Sequence, residues 1–347
     1  MVHTWSNPTD QLPVEEDPPT FLRGWNHVHV DAEGCLFVIV PLCSLLKLSP
    51  GSELLWRADL AAHHDLDVSA GGKIHLLTET PRLVGAQVVL DNEIVVLGPS
   101  GAQLRSYSLY EIVRTDPALH VLVDTRLASQ HAEFVRSGTL VDEETRELLK
   151  TGQVTGSLRR ALQLLRQIPG SPCDVLHANT VSVIDAHPDG LWKAGDILVS
   201  LRNLDTIAVI DPWAGQVVWS WGPGVLSGQH QPSMLPDGRI LVFDNGVRER
   251  QSRLLEVDPC SNQVTWEYTA DGFFSELAGG CEQLPNGNIL VTQAQTGKGF
   301  EITRSGVVVW SWESPPTVGG MRTSRVSIYR LSAVPATVAS RLVTRRR

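Results

Sequence analysis

No CxxC pair occurs in the chain, and its five cysteines, at 35, 43, 173, 260 and 281, are odd in number and far apart. A zinc knuckle or a disulfide framework is therefore not indicated. Buried free thiols are the simpler expectation, with Cys35 and Cys43, which flank a strand pair, as the one pair placed to bridge. No apolar run reaches the roughly 20 residues that span a bilayer, so no membrane span is expected. Val30 to Leu48 comes nearest and is broken by Asp31, Glu33, Pro41 and Lys47. The start shows no basic stretch followed by an apolar one, so we expect no signal peptide and a cytoplasmic location. Basic charge is also scarce. Against 38 acidic residues stand 29 basic ones, a formal net charge of −9, which argues against nucleic acid or an acidic membrane as partner. The exception is the end, Arg341 and Arg345-Arg346-Arg347, read as a solvated basic tail over 332–347.

What the chain does have is punctuation. Its 29 glycines and 21 prolines fall between short apolar runs, the pattern of many strands joined by tight turns. The stretch Gly228-Gln229-His230-Gln231-Pro232, running on through Leu235-Pro236-Asp237-Gly238-Arg239 to Phe243-Asp244-Asn245, sets the template: a residue at a strand start, a Gly turn eight residues on, then an apolar strand. His64 stands eight residues before Gly72, Asn26 eight before Gly34, and Gly279 eight before Gly287. The clearest units close on Val-x-Trp, at Val217-Val218-Trp219, Val264-Thr265-Trp266 and Val308-Val309-Trp310. Four short strands per 40–50 residues predict an all-β fold, a β-propeller. Blades are expected at about 25–57, 63–114, 175–221, 229–268 and 276–313. A sixth, made from 2–6 with 321–331, would join the termini and leave no open edge; five blades is the alternative count. The tryptophans at 56, 219, 221, 266, 310 and 312 are read as packing between blades. Residues 115–170 break the period with two helices, N-capped by Asp142 and Ser157. This helical insertion is a lid, a contact for a partner such as a second copy, or a surface excursion.

In a propeller the first residues of the innermost strands crowd at one mouth of the channel. Asn26 or His27, His64, His177, His230 and Gly279 hold those positions, so three histidines are expected to converge. His63 falls on the opposite side of its strand from His64 and is read as a supporting residue. Arg202 follows the strand Ile197-Leu198-Val199-Ser200 in the blade of His177. A guanidinium among imidazoles suits an oxyanion such as sulfate, phosphate or carboxylate, and neutral imidazole can act as nucleophile. Arg253 could serve the same oxyanion, and Asn179 and Asn245 complete the expected substrate-binding set with His27. Two other classes stay open. One is a metal-dependent hydrolase or lyase with Mn or Zn on the histidines, helped by Asp65 or Asp244, although Arg202 would repel a cation and no HExxH spacing is present. The other is a propeller that binds an anion or a protein without catalysis. Paired-carboxylate glycosidase chemistry is disfavoured because the nearby acids are single.

His63-His64-Asp65, Asp174-Val175-Leu176-His177-Ala178-Asn179-Thr180, Asp196 to Asn203, Gln229-His230-Gln231, Leu235 to Gly246 and Ser252-Arg253 together resemble the arylsulfate sulfotransferase family of six-bladed propellers. The likeness covers roughly 22–114 and 172–313. It implies transfer of a sulfuryl group from an aryl sulfate to a phenolic acceptor, with no nucleotide sulfate donor and no other cofactor, by a ping-pong route through a sulfated histidine. On that resemblance His230 matches the nucleophile. His64, His177 and Arg202 match residues that neutralise the sulfate oxygens or handle the phenolic proton. The segment 115–170 has no counterpart in the family, and Gln231-Pro232 follow His230 where the family commonly has an acidic residue.

Overall fold

The structure, a computed structural model, describes residues 3–5, 25, 27–316 and 325–344. Among these the chain is mainly β, in five four-stranded antiparallel sheets, each a meander of four consecutive strands. Its contacts divide it into two compact units, 1–177 with 334–347, and 178–333.

The first unit holds two sheets. One comprises β1 (Val28–Val30), β2 (Leu36–Val40), β3 (Ser44–Leu48) and β4 (Leu54–Asp59); the other comprises β5 (Ala62–Val68), β6 (Ile74–Val84), β7 (Gln87–Leu97) and β8 (Gln103–Ser108). Their facing residues, among them Phe37, Ile39, Leu45, Leu66, Ile74, Leu76 and Val95, form one core. β2 is buried along its whole length, as expected of a strand covered on both faces. The helical segment follows: α1 (Leu109–Val113), α2 (Pro117–Ser137), α3 (Glu143–Thr151) and α4 (Leu158–Gln167). The Asp142 and Ser157 side chains accept from Thr145 N and Arg160 N, satisfying amide groups that a helix start leaves open. α2, the longest helix, begins at an Asp116 cap followed by Pro117 and ends at left-handed Gly138. The β6–β7 hairpin is about twice the length of its counterparts, and its far end gives the helices a floor. There Val88 and Leu90 pack with Leu148, Leu162, Leu165, Ile168 and Cys173.

The second unit holds three sheets. The first has β9 (Ala178–Val183), β10 (Ile197–Leu201), β11 (Thr206–Asp211) and β12 (Gln216–Trp221). Next come β13 (His230–Met234), β14 (Ile240–Asp244), β15 (Arg253–Asp258) and β16 (Gln263–Tyr268). The last has β17 (Gly280–Gln283), β18 (Ile289–Gln293), β19 (Lys298–Ile302) and β20 (Val308–Glu313). Strand β13 lies against β9 and β10, and β17 lies against β13 and β14, so successive sheets meet through their first two strands. Apolar layers fill the two gaps, one around Leu198, Val209, Ile240 and Val242, the other around Phe243, Phe273, Cys281, Val291 and Phe300.

Two sequence features explain the repetition. The turn between first and second strand closes on a glycine with positive φ at Gly34 (+82°), Gly72 (+74°), Gly238 (+88°) and Gly287 (+83°), a conformation that costs a side-chain-bearing residue most. The tryptophans of the outermost strands reach the next sheet's last turn. Trp56 Nε1 donates to Pro99 O (3.0 Å), Trp219 Nε1 to Asn262 Oδ1 (3.0 Å), and Trp266 Nε1 to Arg304 O (3.1 Å). Trp310 and Trp312 differ: they lie on β20, which is exposed throughout, so the packing expected of them is not seen among the described residues.

Two further expectations are revised. His3–Trp5 and residues 326–331 carry no strand, and only the bridge Pro316–Arg325 pairs in the C-terminal stretch; the rest of the expected closing blade (2, 6 and 321–324) lies outside the described residues. The tail is not simply solvated. Residues Ala336–Thr344 form α5, burying Val338 and Leu342. Leu342 lies over Gly34, where a Cβ would come within 2.9 Å of its Cδ2, and Arg341 Nη1 donates to Ala32 O (3.3 Å). The arginines had concealed an apolar spacing of four residues. Cys35 and Cys43 are both free.

Candidate functional site

In the second unit, β13 begins at His230 and is fixed on both sides. Gln229 Nε2 donates to Ser200 Oγ (3.1 Å) and Thr206 O (2.8 Å), while its own carbonyl accepts from Asn179 Nδ2 (2.9 Å). Gln231 N donates to Thr180 Oγ1 (3.0 Å). Gln231 has a left-handed φ of +44°, and the register of β13 against β14 shifts between His230 and Ser233. Its side chain lies over Gly280, where a Cβ would meet Gln231 Oε1 at 1.8 Å.

His230 is 1% exposed. Its Nδ1 is 2.7 Å from Asn245 Oδ1 and 3.1 Å from Gly228 O. The Asn245 amide nitrogen donates to Ser275 O and Ala278 O, which fixes Oδ1 as the atom facing the histidine. Both neighbours of Nδ1 are acceptors, so the neutral ring carries its proton there. Nε2 is then the nitrogen with the basic lone pair.

The strand-end run Asp244-Asn245-Gly246 with Ser252-Arg253 is a clamp around this arrangement. Asp244 Oδ1 accepts from Ser227 N (2.8 Å) and Gly246 N (3.2 Å), and Oδ2 accepts from Arg253 Nη2 (2.6 Å). Ser252 Oγ donates to Asn245 O (2.9 Å). Gly246 can be nothing larger, because a Cβ would fall 1.8 Å from Gln251 O. Burial pushes the Asp244 carboxyl up despite these donors. Asn179, Asn245 and Arg253 thus have structural partners, respectively Gln229 O, the His230 ring and Asp244. Arg202 sits at the start of a 3-10 turn (Arg202–Leu204). It is half-buried, with long bonds of 3.4 Å to Asn203 Oδ1 and Glu276 O. Its Nη2 would be 3.6 Å from a Cβ on Gly228, which puts the guanidinium beside the residue whose carbonyl faces His230.

The first unit brings His63, His64 and His177 together. His64 and His177 rings stand 4.8 Å apart at 50°, and His63 meets His64 edge-on at 4.8 Å. Both His64 (φ +54°) and His177 (φ +49°) are left-handed. This conformation is uncommon for residues with a side chain and is concentrated at functional positions. Behind them lies a buried polar group. His177 Nδ1 is 2.5 Å from Asp174 Oδ2. Burial opposes the charged form of Asp174, but His177, Arg166 and His63 together outweigh it and hold the carboxyl well below its ordinary range. His63 Nε2 faces Thr78 O (3.2 Å) and Glu79 Oε1 (3.7 Å). Its pKa is pushed down to about 4, chiefly by burial, against the pull of Glu79. His27 Nε2 pairs with Asp65 Oδ1 (3.2 Å), the residue after His64; Asn26 lies outside the described residues. Asp174, Glu79 and Arg166 were absent from the expected set. Asp174 had a signal, standing three residues before His177 in the same motif. Arg166 and Glu79 are 87 positions apart and had none.

Two groups of described residues have donor atoms close enough to hold a metal: His187, Asp189 and Cys260; and Asp31, Glu33 and Cys35. Neither includes His64, His177 or His230. Among the described residues no helix is long and apolar enough to cross a membrane.

The second unit thus has a four-stranded sheet whose first strand begins at a buried imidazole held through Nδ1, with the Arg202 guanidinium beside Gly228. Residues 141–314, half of the chain, match the family described as arylsulfotransferase (ASST), and the chain belongs to that family. No curated protein sequence matches the chain. Solved structures to which the chain is similar include a protein of unknown function from Bacteroides caccae, at 14% identity and a TM-score of 0.49 over 84% of this chain and 83% of that one. Virginiamycin B lyase from Staphylococcus aureus matches at 12% identity and a TM-score of 0.44 over 84% and 70%. BamB from Moraxella catarrhalis matches at 12% and 0.39 over 89% and 79%.

Proposed function

We propose that the chain moves a sulfuryl group from an aryl sulfate to a phenol in two steps through a sulfated His230. The observation that supports the chemistry most is the seating of His230, with Nδ1 held by two acceptors and Nε2 left as the basic nitrogen. In the first step the Nε2 lone pair attacks sulfur. The N–S bond forms as the S–O bond to the aryl group breaks, and a phenolate departs. Positive charge that develops on the ring is spread toward Gly228 O and Asn245 Oδ1, in the way an acceptor on Nδ1 steadies a catalytic imidazole. In the second step an acceptor phenol attacks sulfur from the side the first product left. The N–S bond breaks and the phenolic proton passes to a base.

Arg202, His64 and His177 are assigned to the sulfate oxygens, on which charge builds as sulfur is transferred. His177 is also the best-equipped base, because Asp174 holds its Nδ1 and stays ionised. A positioned imidazole of this kind contributes about 10²–10⁴-fold. Turnover of a chromogenic aryl sulfate with and without an added phenol tests this reading. Product release should depend on the phenol and vanish in His230→Ala. Release that is indifferent to the phenol, or that survives in the variant, contradicts it.

A further inference from the structure

In the second unit the link between β9 and β10 runs over 184–196, whereas that between β13 and β14 needs only 235–239. The longer link is folded on itself. His187 N donates to Trp192 O (3.1 Å) and Gly190 N to His187 O (2.9 Å), and the His187 ring stands edge-on to the buried Trp192 at 4.5 Å. The turn between β15 and β16 meets this link and is itself fixed. Cys260 N donates to Asp258 Oδ1 (2.9 Å), and Asn262, left-handed at φ +58°, accepts from Trp219 Nε1 through Oδ1. Cys260 Sγ then donates across 3.5 Å to Asp189 Oδ2, 71 positions away in the chain. A ring nitrogen of His187, a carboxylate oxygen of Asp189 and that sulfur all fall within 4.8 Å of one another.

We propose that His187, Asp189 and Cys260 bind a divalent cation of the Zn²⁺ class, in a site that shares no residue with the sulfuryl-transfer reading and ties the β9–β10 link to the β15–β16 turn. Imidazole, carboxylate and thiolate are the donors zinc takes, and three protein ligands leave a fourth position for water. The thiolate selects against Mg²⁺ and Ca²⁺, which prefer oxygen throughout. On a tetrahedral centre, a sulfur at about 2.3 Å and an oxygen at about 2.0 Å stand about 3.5 Å apart. Cys260 Sγ and Asp189 Oδ2 already have that separation. The imidazole needs one exchange. Asp189 N donates to His187 Nδ1 (3.1 Å), so the neutral ring carries its proton on Nε2 and its lone pair on Nδ1. A metal on Nδ1 replaces that hydrogen bond, and the Asp189 amide turns away. The Cys260 thiol proton leaves to solvent as the sulfur binds. The charged groups that bear on Cys260 are Asp189 and Asp258, both anionic and so favourable to a cation. Cys260 and Asp189 are exposed, which gives the ion a way in.

Titration of the full, metal-stripped chain with Cd²⁺ tests the site, because a cadmium–thiolate bond gives an ultraviolet charge-transfer band. The band should saturate at a single equivalent and be absent in Cys260→Ser. In Asp189→Asn and in His187→Gln it should need at least about tenfold more Cd²⁺. Zn²⁺ should displace the Cd²⁺, shift the Asp189 amide resonance, and raise the urea midpoint of the parent but not of Cys260→Ser. Cys260 and Asp189 lie on the surface, so their variants keep the measurement available if loss of the buried His187 prevents folding. Three results overturn the proposal: no band in the parent; a band that survives in Cys260→Ser, which places the ion on another thiol; or a band whose midpoint is unmoved in Asp189→Asn, which leaves an adventitious ion only, held by one surface sulfur. None of these readouts involves turnover, so this inference and the sulfuryl-transfer reading fail separately.

Discussion

Replacing His63 with Gln tests how the first unit stores pH dependence. His63 is 3% exposed, and its pKa falls from 6.5 to about 4, chiefly through burial. An unfolded chain binds a proton at this position below about 6.5, whereas the folded chain does not until about 4. Stability therefore falls as pH drops through that window and is unaffected above it. Integrating the two titrations between about pH 7 and about pH 5 gives a loss of roughly 2 kcal/mol attributable to this one ring. Gln is close in size, can still donate to Thr78 O and does not titrate. Urea unfolding of parent and variant at both pH values reads the difference directly, and other titrating groups cancel in the comparison. The parent should lose about 2 kcal/mol more than His63→Gln over the interval. Parallel losses in the two proteins would mean that His63 is not held neutral by its surroundings, and the account of the buried polar group would be wrong.

Three other perturbations separate positioning from packing. Asn245→Leu removes the acceptor 2.7 Å from His230 Nδ1 and should lower kcat by roughly 10–100-fold with KM nearly unchanged, a loss of about 1–3 kcal/mol; steady-state kinetics checks it. Arg253→Ala strands the buried Asp244 carboxylate and should destabilise the second unit by roughly 3 kcal/mol, as read by denaturant midpoints. Leu342→Ala should cost about 2 kcal/mol through the contact of α5 with Gly34, visible as a lowered Tm with activity retained at low temperature.

The repeat was legible because turn chemistry and strand ends are local. Glycine at each first turn and Val-x-Trp at the outermost strand both act within a few residues or on the next sheet, so their spacing survives in the sequence. The Asp142 and Ser157 caps were legible for the same reason. The long α2 was not read as a helix, because its buried residues Leu119, Val123 and Gln130 alternate with exposed Val121 and Val135, blurring the apolar stripe. α5 was hidden because the reading of the C-terminal stretch followed its arginines and passed over the pair Val338 and Leu342, four residues apart. His64, His177 and His230 were singled out by position in the repeat. That reasoning places a residue but not its partners. The left-handed backbone falls at His64 and His177 but moves one residue on, to Gln231, beside His230, a difference that equal spacing to the glycine turn conceals. Arg166 meets Glu79 only because a long hairpin and a helix pack together, and no spacing announces it.

The covalent state of His230 during turnover is the most direct test of the whole account. Protein quenched after brief mixing with an aryl sulfate, before any phenol is added, is digested under conditions that preserve N–S bonds and mapped by mass spectrometry. A single sulfuryl group on the peptide bearing His230, discharged when phenol is supplied, is the predicted result. Sulfation on another residue, or full turnover with His230 unmodified at every time point, would contradict it.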